Sequence, residues 1–171
     1  MNKYFILIII VLAAVTRLIP HPPNFTPLIA MGLFGGAYIH SRSLAVLIPI
    51  GAMFLSDLFL GFHGTVYFVY GSLLLVTILG MILIKKITIK NCTVAALSSS
   101  FLFFLIANLG VWLTSSYYPK NIQGILSCYT MALPFLGNTL AGTLLYSSVM
   151  FGGYELLKWS VAQSQLEPIQ K

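Results

Sequence analysis

Residues 44–62 read LAVLIPIGAMFLSDLFLGF, nineteen residues that are apolar or small except for Ser56 and one charged side chain, Asp57. At ~1.5 Å per residue a helix of this length approaches the ~30 Å of a bilayer's hydrocarbon core. The stretch therefore reads as a membrane-crossing helix. Outward from it, comparable apolar runs extend from Tyr4 to Ile19, from Pro27 to Ile39, from Val66 to Ile84, from Thr93 to Leu113 and from Ala132 to about Leu157. They are continuously apolar and do not alternate every second residue, which argues against a β-barrel. The second run, at about 14 residues or ~20 Å, is too short for an upright crossing.

Composition agrees with this reading. The 171 residues are 58% hydrophobic and 7% charged, against the ~25% charge of a soluble domain, and the mean hydropathy is +0.95. The same figures exclude disorder, and two cysteines cannot staple a chain of this length. The expected fold is an all-α membrane protein, a single bundle of six transmembrane helices with the second one short. No repeat or linker marks a boundary, so residues 1–171 read as one transmembrane helical domain. Lys3 followed by an apolar run ending at Ala13 and Ala14 also fits a signal peptide, but Arg17 and Pro20 make a poor cleavage context.

The formal charge is +6. No basic run with interleaved aromatic residues suggests nucleic acid; the cations sit at the ends of apolar segments, where they orient the chain. With six crossings, Lys3, Arg42, Lys85, Lys86, Lys90, Lys158 and Lys171 fall on one side and only Arg17 and Lys120 on the other. The first side is expected to be cytoplasmic, with both termini there.

That topology gathers scattered polar residues. Arg17, Asp57 and Asn108 all lie ~20 Å from the cytoplasmic boundary, and Asn138, entering from the outer side, lies near the same level. A charge within the bilayer costs ~2.5 kcal/mol or more, so these groups are expected to face inward and find partners, Arg17 most simply with Asp57. Above them the outer connections 17–27, 56–67 and 115–130 carry His21, Asn24, His63, Tyr117, Tyr118, Cys128 and Tyr129, with Trp112 at the outer end of the fifth run. This asymmetry suggests a pocket open to the outside.

Each residue also has a plainer reading. Arg17 with Asp57 reads equally as an interhelical lock, and the Trp and Tyr rings as an interfacial belt. Pro20, Pro22 and Pro23 read as a stiff loop, Asn24 as the cap of the second helix with Pro27 in its first turn, and Asn108 and Asn138 as interhelical glue. Pairs of small residues four apart, Gly32 with Gly36 and Gly137 with Ala141, are expected at close helix contacts. His21, His63, Asp57 and Cys128 are good metal ligands, but their spacing matches no ligand signature, so no metal or other cofactor is expected. No G-x-S-x-G, H-E-x-x-H or P-loop occurs, and Asp57 is the sole acid of the outer half, so an enzyme is not expected.

The stretches RLIPHPPNFTP (17–27), LFGGA (33–37), FLSDLFLGFH (54–63), NLGVWL (108–113) and LPFLGNTL (133–140) resemble a family of small bacterial membrane proteins of uncharacterised function. That family is related to the substrate-binding S-components of energy-coupling-factor vitamin transporters. The resemblance implies a multi-pass protein of the bacterial cytoplasmic (inner) membrane that captures a vitamin or similar micronutrient from outside. It also implies toppling in the bilayer, usually on a shared transmembrane subunit driven by ATPases. A solitary cobalamin transporter of this kind, which uses an outer-loop cysteine as a cobalt ligand, is the nearest functional analogue. Here the connection between segments three and four has His63 and no cysteine, while Cys128 lies in another loop. The class's docking motif, alanines four apart in the first helix, is absent: Ala13 and Ala14 are adjacent. The expected ligand-binding residues are Arg17, His21, Asn24, Asp57, His63, Asn108, Trp112, Tyr118, Cys128, Tyr129 and Asn138. The rival readings are a structural or assembly membrane protein without a small ligand and, more weakly, a membrane enzyme using the outer His and Cys residues.

Overall fold

The computed structural model describes residues 3–164. Among them there are six α-helices and no strands: α1 (Lys3–Val15), α2 (Leu28–Tyr38), α3 (Arg42–Leu60), α4 (Val66–Leu83), α5 (Ile89–Thr114) and α6 (Ile122–Ser164). Local chemistry sets the ends. Pro20 cannot continue a helix, and α1 tightens into a 3-10 turn, Thr16–Leu18, where the Thr16 hydroxyl donates to Ala13 O at 2.7 Å. Ser41 and Thr88 cap α3 and α5, accepting from Leu44 N at 3.5 Å and Asn91 N at 3.2 Å. Gly61, at φ 89°, stops α3 one turn beyond Asp57.

Three helices, Arg42–Leu60, Val66–Leu83 and Ile89–Thr114, are long and apolar enough to cross a membrane, which suggests a membrane protein. The expectation of six such helices is corrected. α1 and α2, at 13 and 11 residues, are short, and the 43 residues of α6 are diluted by Asn138, Thr139, Thr143, Ser147 and Ser148. The start of α6 is also corrected, from Ala132 to Ile122, because the Asn121 carboxamide accepts from Gly124 N at 2.9 Å and caps the helix there. Residues 122–130, expected as loop, are its first turns. Lys171, counted among the orienting cations, lies outside the described residues.

The polarity is inverted relative to a soluble core. Leu47, Phe59, Leu126, Val149 and many other large apolar side chains point outward, while Ser72, Thr77, Ser99, Ser100, Thr139 and Thr143 are buried. This is the pattern expected when the solvent is lipid and helices associate through small and hydroxylated residues. At the centre stands α2, packed against all five other helices and buried from Leu28 through Gly36. Its closest neighbour is α4: a Cβ at Gly36 would run into Thr77 O, and one at Gly80 would lie 2.8 Å from Leu33 O. Gly32 and Gly36 thus serve close packing as expected, whereas Gly137 faces open space and does not.

Rings cluster at the far end of α2. Phe34 and Tyr38 pack with Phe151 and Tyr154 of α6 at centroid separations from 4.3 Å, for Tyr38 and Tyr154, to 5.6 Å. The Tyr38 hydroxyl donates to Glu155 Oε1 at 2.7 Å. At the near end, where α2 begins, the bundle is hollow.

Candidate functional site

Because α2 starts well inside the bundle, a cavity of about 360 Å³ remains above its first turn. That is within the range of ~300–1,000 Å³ typical of small-molecule sites. Its floor is Leu28, Ile29 and Met53, its walls come from α4, α5 and α6, and Arg17, His21, Asn24 and Thr26 of the 17–27 strap lie over it with His63 and Thr65.

The strap is fixed by its sequence. In Pro22-Pro23-Asn24-Phe25 the Phe25 N–H donates to Pro22 O at 3.0 Å, and Asn24 takes φ 63° at the third position. Proline second and a residue tolerating left-handed backbone third is the arrangement such a turn requires. Asn24 therefore turns the chain and does not cap α2, as the plainer reading had it; the cap position is Pro27, which brings no side-chain hydrogen bond. The carboxamide of Asn138 donates to Pro23 O at 3.0 Å and ties the strap to α6.

Beside the cavity lies a buried ion pair. Arg17 Nη2 donates to Asp57 Oδ1 at 2.9 Å, with the carboxylate side chain 2% exposed. Arg17 Nη1 donates to Ser56 Oγ and, at 3.4 Å, to Met53 O. The Tyr70 hydroxyl donates to Asp57 Oδ2 at 3.0 Å. Both carboxylate oxygens are thus engaged, which a buried charge needs to repay its desolvation. Asp57 does not line the cavity; it holds Arg17, which does.

Of the expected site residues, Arg17, His21, Asn24, His63 and Asn108 line this cavity. Tyr118 and Cys128 line a second one of about 330 Å³, which shares Asn24, Asn108 and Val111 with the first. Trp112 and Tyr129 line neither. The Trp112 indole N–H donates to Pro119 O at 3.0 Å and Tyr129 O–H to Leu105 O at 2.6 Å, so both fasten the α5–α6 hairpin. The buried Cys128 thiol donates to Asn108 O at 3.6 Å. Among the described residues no three His, Cys, Asp or Glu side chains stand close enough to share a metal ion.

Several wall residues escaped the sequence reading: Thr26, Thr65, Phe103, Phe104, Thr139 and Thr143. Thr26 and Thr65 lie in connections, and hydroxyl and aromatic side chains are ordinary in apolar helices, so little marks these residues until each helix's rotation is known. Thr139 and Thr143, one turn apart on α6, gave the only usable signal, since i and i+4 share a face.

A family model described as "Family of unknown function (DUF6580)" matches residues 1–166. No curated protein and no solved structure matches the chain.

Proposed function

The chain belongs to the DUF6580 family of unknown function, and we propose that it is a substrate-binding integral membrane protein for uptake of a vitamin or similar micronutrient. In this reading all six helices are embedded in the bacterial cytoplasmic membrane, and the cavity faces outward. The observation that carries it is the cavity itself: a space of about 360 Å³ at the first turn of α2, lined by Arg17, His21, His63 and Asn108 together with apolar and aromatic side chains.

The charge distribution supports the orientation. The start of α1, the α2–α3 connection and Lys158 border one cleft, and the α4–α5 connection meets Glu155 at that same end. Arg42, Lys85, Lys86, Lys90 and Lys158 therefore gather opposite Arg17 and Lys120, and the cation-rich end is the cytoplasmic one. An S-component-like cycle, with energy from a partner transmembrane subunit and its ATPases, fits a chain that has no phosphate-binding loop of its own. A cobalamin-like ligand belongs to the same proposal.

The test is thermal melting of the purified protein against a panel of vitamins. One member is expected to raise Tm, and His63→Ala, an exposed side chain at the mouth, is expected to reduce the shift without lowering the unliganded Tm. A panel that leaves Tm unchanged throughout contradicts the proposal.

A further inference from the structure

At the cation-rich end a cleft of about 610 Å³ opens between the start of α1, the α2–α3 connection, the start of α3 and α6. Its lining is graded in polarity. His40 and Ser41 of the connection and Lys158 of α6 are exposed. Leu44 and Ile48, one and two turns into α3, face Ile6 and Leu7 of α1 across an apolar interior. The apolar stripe then continues along α3. Ala52, Leu55 and Phe59, following Leu44 and Ile48 at helical spacing, line a shallower groove of about 170 Å³ with Val11, Ala14 and Leu18 of α1. One trough thus follows the α1–α3 seam, with its polar mouth at the end where the cations gather.

The charge of that mouth has one sign. No carboxylate lines the cleft; Glu155 lines the neighbouring cleft between α5 and α6 instead. Lys158 Nζ reaches Glu155 at 3.3 Å, but the pair is exposed, at 58% and 37% for the two side chains, and such pairs hold their partners weakly. An ammonium has three donors, and an imidazole carries at least one N–H in either tautomer. Arg42, next in the chain after Ser41, is exposed as well.

We propose that this cleft binds an anionic phospholipid of the cytoplasmic leaflet, its headgroup at Lys158 and His40 and an acyl chain along the α1–α3 seam. Charge decides between the possible occupants. A helix of a partner membrane protein, or a second copy of this chain, brings its own Lys and Arg to the cytoplasmic level and meets like charge there. An anionic lipid brings the opposite charge, and basic pockets between helices on the cytoplasmic side are where such headgroups bind. The proposal rests on the embedding and orientation given above, and it does not require a ligand in the outer cavity.

The experiment is native mass spectrometry of the delipidated full chain in detergent, titrated with phosphatidylglycerol or with phosphatidylcholine of the same acyl chains. Phosphatidylglycerol is expected to bind the more tightly. Lys158→Gln is expected to weaken it about fivefold, the effect of one cation beside an anionic lipid, and to leave phosphatidylcholine unchanged. The double variant Lys85→Gln, Lys86→Gln, at the same end but outside the cleft, is expected to bind as wild type does. Leu44→Trp fills the cleft from a half-exposed position, and is expected to abolish the preference without lowering the lipid-free Tm. Equal binding of the two lipids, or equal weakening by both lysine variants, overturns the site in favour of diffuse attraction. Dimers that Leu44→Trp abolishes assign the cleft to a second copy and overturn it too. The vitamin-induced Tm shift, measured on wild type and Lys158→Gln, reads the uptake proposal separately at the opposite end of the molecule.

Discussion

Each oxygen of the buried Asp57 carboxylate accepts from a fixed donor, Arg17 at 2.9 Å and Tyr70 at 3.0 Å. Removing one partner of such a pair leaves the other charge buried and uncompensated. Arg17→Met is therefore expected to cost about 3–5 kcal/mol, and the double variant Arg17→Met, Asp57→Leu markedly less, because no orphan charge remains. Unfolding in mixed denaturing micelles checks the order; equal losses in the two variants contradict it. The pairing was legible in the sequence, since two opposite charges at one depth in apolar helices have no cheaper arrangement. Tyr70 and Thr143 were not, because a tyrosine or threonine in an apolar helix is ordinary until the helix's rotation is known.

Among the elements, α2 and α6 depart most from a plain reading of hydropathy. α2 is too short to cross a bilayer, and the length that disqualifies it as a span makes it the floor of a cavity, since the other helices continue past its first turn. Its place at the centre was legible only in part. Gly32 and Gly36 announced a close contact, but not that α4 would be the partner or that Gly137 would stay free. Gly36→Leu is expected to abolish folding, because the new side chain meets the α4 backbone, whereas Gly137→Ala is expected to leave stability within about 0.5 kcal/mol. The yield of monodisperse protein in size-exclusion chromatography reads both; a well-folded Gly36→Leu variant contradicts the packing. The early start of α6 was hidden because Ser127, Cys128, Tyr129 and Thr130 read as loop by polarity. The determining signal was the cap: Asn121→Ala is expected to cost about 1 kcal/mol in thermal or denaturant melting.

For the whole molecule, two ends of opposite character follow from where the short helix stops. One end is cation-rich and carries the ring cluster with a cleft of about 610 Å³ beside it; the other holds the polar cavity of about 360 Å³ and is crossed by the 17–27 strap. Composition made the all-helical bundle and its apolar outer surface legible, but a cavity is the space between helices and no sequence pattern marks it. The orientation proposed here places a reporter fused after residue 171 in the cytoplasm; a reporter active only outside the membrane reverses the reading.

Uptake of a micronutrient as proposed requires that a small molecule occupy the space above α2 in the working protein. Native mass spectrometry of the protein released from nanodiscs tests it most directly, comparing wild type with Ala107→Phe, which puts a ring into the cavity wall. The account expects a non-covalent adduct of small-molecule mass on wild type and its absence from a variant that melts normally. Two empty proteins, or the same adduct on both, would contradict it.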